Sequence, residues 1–149
     1  MNPRILGFVL VVLSNACSSS RPATDRPMQH LNAPGRTDTL PFSHGVLARD
    51  FLFLAGTLGL DATGKPPADA GEEARAMLDD FRKKLELAGL TMDDLVQVQV
   101  FCSDLALYDV FNKTYATYFT REFPARAFIG SGPLLRGCRF EIIGIAARR

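Results

Sequence analysis

Two residues near the C-terminus carry the most chemistry. Arg126 follows a Pro-Ala step in Phe123-Pro124-Ala125-Arg126-Ala127-Phe128-Ile129, and Glu141 is a lone acid in Phe140-Glu141-Ile142-Ile143-Gly144-Ile145-Ala146. The apolar runs around both read as strands, with a turn at residues 130–137 between them. A guanidinium and a carboxylate on two adjacent strands can hold a small acidic molecule and a water. The planar guanidinium grips a carboxylate through two parallel hydrogen bonds, which an ammonium cannot copy. The plainer reading of the same pair is a buried ion pair between neighbouring strands.

Other side chains offer less. The three cysteines, Cys17, Cys102 and Cys138, are widely spaced and form no CxxC. That argues against a disulfide framework or a zinc site, and Cys102 and Cys138 read as core thiols. Two histidines, His30 and His44, are too few for a histidine metal cluster. His44 reads as a hydrogen-bonding strand residue and not as a general base. The net charge is +1, with no basic stripe, which weighs against a nucleic-acid partner.

The 149 residues suggest one folded domain, preceded by segments of different character. Arg4, an apolar run at residues 5–13 and the small residues Ser14-Asn15-Ala16 before Cys17 form a signal-peptide pattern over residues 1–17. Cys17 followed by Ser18-Ser19-Ser20 also resembles a lipoprotein leader, which makes Cys17 the candidate lipidation residue and a membrane anchor. The expected location is the periplasm or envelope of a bacterium, or the cytoplasm if the leader does not act. Residues 18–39, with Pro22, Pro27 and Pro34, read as a flexible linker in which His30 is solvated.

The domain proper spans residues 40–149. Strands are expected at 42–48 and 51–55, the second fully buried by its continuous apolar character. Residues 69–87 form the clearest helix: Ala74, Met77, Leu78, Phe81, Leu85 and Ala88 make one stripe, and Gly89 ends it. Asp79–Lys83 and Asp80–Lys84 are spaced to pair, and Arg82-Lys83-Lys84 reads as a solvated face. Residues 95–101 alternate Val and Gln, a strand with one covered face. Asp104 can cap a second helix reaching Phe119, with Tyr108, Phe111, Tyr115 and Phe119 on its stripe. The order is β-β-α-β-α-β-β, an α+β class with two helices on one face of a mixed, mostly antiparallel sheet. The other face then needs a partner, and a homo-oligomer is the economical one.

Pro41-Phe42-Ser43-His44-Gly45, Phe53-Leu54-Ala55-Gly56, Leu85-Glu86-Leu87-Ala88-Gly89-Leu90, Asn112 with Tyr115 and Phe119, Phe123-Pro124-Ala125-Arg126 and Phe140-Glu141-Ile142 occur in an order and spacing that resembles the RidA family of imine deaminases. The resemblance implies a chorismate-mutase-like fold, a trimeric barrel with helices outside, and active sites between subunits. It implies hydrolysis of 2-imino or enamine acids to 2-keto acids and ammonia, with no metal or organic cofactor. By the same resemblance, Arg126 holds the substrate carboxylate and Glu141 orients or activates the water. Asn112 and Gly56 lie at the site, and Phe42 and Phe128 wall it.

This chain departs from the family in carrying Phe42 for a common Tyr, and Ala55-Gly56-Thr57 for a common Ser-Gly-Gln. A more apolar pocket is expected, suited to larger apolar side chains or slower in turnover. The alternative from another class is a non-catalytic trimer that binds small carboxylates or a partner protein in the envelope.

Overall fold

The computed structural model describes residues 27–149. The leader and Cys17 lie outside the described residues. Among the described residues six strands form one sheet: β1 (Gln29–Leu31), β2 (Gly45–Ala48), β3 (Phe51–Leu58), β4 (Leu95–Cys102), β5 (Ala125–Gly130) and β6 (Phe140–Ala147). Two helices, α1 (Ala70–Glu86) and α2 (Tyr108–Tyr115), pack side by side on one face.

The helix α1 forms for the reasons its sequence gives. Asp69 caps it, its Oδ1 accepting from the Glu72 N–H at 2.9 Å. Ala74, Met77, Leu78, Phe81 and Leu85 are all fully buried against the sheet. Gly89 ends it with φ +70°, and the Leu90 N–H donates to the Leu85 carbonyl at 3.1 Å. Asp80 pairs with Lys84 at 3.0 Å as expected, whereas Asp79 pairs with Arg82 at 3.0 Å. The second helix is shorter than its stripe suggests. Asp104 caps a 3-10 turn at Leu105–Leu107, α2 follows, and a further 3-10 turn spans Ala116–Tyr118.

Sheet order is β1-β2-β3-β6-β4-β5, with β5 parallel to β4 and all other pairs antiparallel. The strands of Arg126 and Glu141 are therefore not adjacent, because β4 lies between them. The segment 51–55 is not buried on both faces either. Leu52 and Leu54 point under the helices, while Phe51 and Phe53 stand 48 % and 47 % exposed. An alternating burial pattern underlies a continuous apolar sequence. On the same open face lie Gln97, Gln99, Ile143 and Ile145.

The stretch expected as a linker contributes structure. β1 pairs antiparallel with β2, and the loop from 32 to 44 is built around Arg36. Its guanidinium donates to Asp38, to Asn32 Oδ1 at 2.6 Å and to the carbonyls of Leu40 and Phe42. His30 is exposed, yet its Nδ1 lies 3.2 Å from Ser43 Oγ.

His44 Nδ1 accepts from the Ala33 N–H at 3.0 Å, so the imidazole closes this strap in its neutral form. Burial pushes its pKa below the ordinary 6.5, helped by the nearby Lys84 and Arg36 cations against Asp80 and Asp38. A lowered pKa in the folded strap means the detached strap binds the proton more readily. The strap is thus firmest above about pH 6.5 and loosens as pH falls through the lowered value. Hydrogen exchange at the Ala33 amide, corrected for its intrinsic rate, is expected to accelerate between about pH 7 and 5, and His44→Gln to remove that dependence. A corrected rate that stays flat in the parent protein contradicts this.

Candidate active site

Arg126 is the second residue of the edge strand β5 and lies beside Val98 of β4, which is fully buried beneath the helices. Cross-strand partners share a face, so Arg126 points to the helix side. One guanidinium nitrogen donates to Asn112 Oδ1 at 2.6 Å. Four rings surround the cation: Tyr115 at 4.6 Å, Phe111 and Phe128 at 5.8 Å, and Tyr108 at 5.9 Å. Aromatic faces attract a cation without neutralising it. No carboxylate pairs with Arg126 among the described residues, so the ion-pair reading does not hold. What remains is a half-buried positive charge with free N–H groups, fixed in direction by Asn112.

A cavity of about 390 Å³ opens beside it, lined by Asn112, Tyr115, Ala116, Phe123, Pro124 and Arg126. Asn112 and Tyr115 sit at i and i+3 on α2, with Ala116 as its C-cap at i+4, which puts them on one face. The same spacing is visible in the sequence, and it is the signal that would have added Tyr115 to the site. Its hydroxyl is buried and has no partner among the described residues. Burial pushes its pKa up to about 12, against the pull of the Arg126 charge.

Glu141 belongs to the other face. In β6, Phe140 and Ile142 are fully buried under the helices, so Glu141 between them points to the open side. It pairs in register with Leu58 of β3 and Phe101 of β4. A Cβ on Gly56 would come within 2.1 Å of Glu141 Oε1, so the carboxylate lies directly over that residue. Glu141 makes no hydrogen bond or ion pair among the described residues.

The structure thus groups the expected site residues into two half-sites. Arg126, Asn112 and Phe128 come together on the helix side, and Glu141 and Gly56 on the open side. Within one chain the two groups are separated by β4 and face apart. Phe42 joins neither: its ring lies 4.8 Å from the Arg36 guanidinium carbon, on the strap. Cys102 and Cys138 are buried free thiols whose pKa values burial raises, which fits core residues and not nucleophiles.

One acid in the first turn of α1 belongs to the core. Glu73 of α1 is fully buried. Its Oε2 accepts from Arg139 Nε at 2.5 Å, and its Oε1 from the backbone N–H groups of Arg139 and Phe140 at 2.6 and 3.1 Å. Arg139 also donates to the carbonyls of Ala68 and Pro67.

Comparison with known proteins gives the family and the fold. The family model described as Endoribonuclease L-PSP matches residues 32–148. The 2-iminobutanoate/2-iminopropanoate deaminase of Escherichia coli K12 is 34 % identical over 122 residues, covering 79 % of this chain and 94 % of that protein. The crystal structure of the E. coli YjgF gene product is 34 % identical with a TM-score of 0.71, covering 75 % of this chain and 91 % of that one. E. coli TdcF with bound serine is 29 % identical with a TM-score of 0.72, covering 79 % and 94 %.

Proposed function

The chain belongs to the RidA (endoribonuclease L-PSP) family of deaminases, and on that footing we propose that it hydrolyses small 2-imino acids to 2-keto acids and ammonia. The observation that carries this reading is the unpaired Arg126 guanidinium at the mouth of a cavity. A carboxylate is the anion its planar fork fits. The relative that holds serine supports a site for small amino-acid-like carboxylates.

The chemistry asks little of the protein. A protonated imine carbon is already electrophilic, so position and charge supply most of the help. Arg126 fixes the carboxylate, and with it the reacting carbon. Glu141 accepts a proton as water adds to that carbon, giving a tetrahedral carbinolamine. That proton then passes to the nitrogen, the C–N bond breaks, and the hydroxyl proton returns to Glu141 as the carbonyl forms, so a protonated imine and one water give a 2-keto acid and, once Glu141 hands that proton on, ammonium. Each turnover consumes one water and needs no redox partner.

Arg126 and Glu141 face apart in one chain, so a joint site requires two copies. A homotrimer in which the open, apolar sheet face of one copy meets the edge strand β5 of the next provides this. The exposed Phe51, Phe53 and Val96 are the apolar surface such an assembly would cover. Two individually inactive variants, Arg126→Ala and Glu141→Ala, are then expected to complement when co-refolded. Three in four random trimers are mixed and each holds one intact site of three, so about a quarter of wild-type activity returns. No recovery in trimers shown to be mixed would place both residues in one subunit and sink the shared site.

The same half-sites also suit a binder that does no chemistry. Phe42, which brings no hydroxyl and engages the strap instead of either half-site, is the departure that favours that reading. Glu141→Ala separates the two: it removes turnover but only modestly weakens carboxylate binding if the protein is a deaminase.

A further inference from the structure

Pairing between β3 and β6 is regular as far as Leu54–Gly144 and resumes at Thr57–Ile142. The strand β3 advances three residues there while β6 advances two, a bulge of one residue. The extra residue re-aims its neighbours. Thr57 turns under the helices, where it is 1 % exposed, and Gly56 turns to the open face against the Glu141 carboxylate. The family resemblance implies Gln at the position of Thr57, a departure that on sequence alone reads as a lost pocket group. The structure gives it a different occupation.

The Thr57 hydroxyl donates back across the bulge to the Ala55 carbonyl at 3.2 Å and accepts from Lys84 Nζ at 2.8 Å. Lys84 is not on a solvated helix face. Its side chain is 11 % exposed, and Asp80 Oδ2 holds the ammonium at 3.0 Å. Asp80, Lys84, Thr57 and the Ala55 carbonyl thus form one chain of polar contacts from α1 into the bulge. The Asp80 carboxylate is half exposed while the Lys84 side chain is mostly covered, so the carboxylate and the Thr57 hydroxyl are the partners that offset the desolvation of the ammonium.

We infer that Thr57 and Lys84 are positioning residues for Glu141: they pin the bulge, and the pinned bulge sets the Gly56 backbone against the carboxylate that orients the water. This rests on the proposed reading of Glu141. The bracket acts on one half-site only, since Arg126 lies on the other face and another strand. Loosening it lets Gly56 withdraw and gives the Glu141 side chain room for other rotamers, while carboxylate binding at Arg126 is untouched.

Thr57→Val keeps the shape and loses both hydroxyl bonds, Thr57→Ser keeps both bonds, and Lys84→Met removes the donor from the helix side. Expected is a fall in kcat of about 10- to 100-fold for Thr57→Val and Lys84→Met with KM nearly unchanged, and wild-type kcat for Thr57→Ser. A second readout needs no substrate. In NMR spectra of the folded proteins the Gly56 amide and Glu141 carboxyl signals are expected to move in Thr57→Val and Lys84→Met and to stay in Thr57→Ser. Signals that stay at their wild-type positions in Thr57→Val overturn the inference, whatever the imine assays give. If the signals move but the wild-type protein hydrolyses no imine, the bracket stands and the deaminase reading falls.

Discussion

Arg126→Ala lowers kcat/KM for 2-imino acid hydrolysis by about 10²- to 10³-fold, the loss expected when a charge-assisted pair of hydrogen bonds to a substrate carboxylate disappears. The size follows from the environment. The guanidinium is half buried, flanked by four aromatic rings and directed by Asn112 at 2.6 Å, so little of its interaction is screened by water. Arg126→Lys keeps the charge but not the fork, and is expected to recover only part of the loss. Folding should be little disturbed, because no buried acid among the described residues depends on Arg126. The measurement is keto-acid release from 2-imino acids of several chain lengths, generated by an amino-acid oxidase. Wild type and Arg126→Ala giving equal rates, neither above buffer, would move the protein to the non-catalytic reading. The cavity wall of Phe123, Pro124, Tyr115 and Ala116 adds a direction within the series: bulkier apolar side chains are expected to react better than small ones.

Glu73→Ala is expected to cost about 3–5 kcal/mol of stability, a large part of the roughly 5–15 kcal/mol that holds a typical domain folded. Glu73 is fully buried and satisfies three donors, two of them backbone N–H groups at the start of β6. Truncation leaves those two amides and the Arg139 Nε–H without an acceptor, and leaves the Arg139 charge uncompensated. It also unties the first turn of α1 from the strand that carries Glu141. Glu73→Gln retains the shape and one acceptor and should lose less. Pairing Glu73→Met with Arg139→Met should regain part of the loss, because removing both charges ends the desolvation cost that removing one exposes. Urea denaturation at fixed protein concentration measures all of these. A Glu73→Ala midpoint within error of wild type would show that the pair is solvated in the native protein.

Local patterns made several parts of this molecule readable in advance. The stripe from Ala74 to Leu85, bounded by Asp69 and Gly89, describes α1 because a helix buries residues three and four apart and needs polar partners only at its ends. Val98 and Val100 against Gln97 and Gln99 describe β4, because successive strand side chains face opposite ways. Arg126 stands out by type and setting, and the run of matched segments from Phe42 to Ile142 identifies the family.

Tertiary structure decided what those patterns do not encode. Whether β5 lies beside β6 or β4 depends on a crossover through α2, and the register of β5 on β4 put Arg126 on the helix face, opposite to Glu141. Phe51 and Phe53 have core composition, but the helices cover only the other side of β3, so they remain exposed until another surface meets them. Glu73 is polar at a position of the α1 stripe, and only the arrival of Arg139 and the β6 backbone makes its burial tolerable. Thr57 and Lys84 meet across 27 residues of chain through a one-residue bulge. Periodicity along a chain records which side of an element is apolar. Which elements become neighbours, and which charges find partners, is fixed by long-range pairing, because only then are the competing costs of burial and desolvation set.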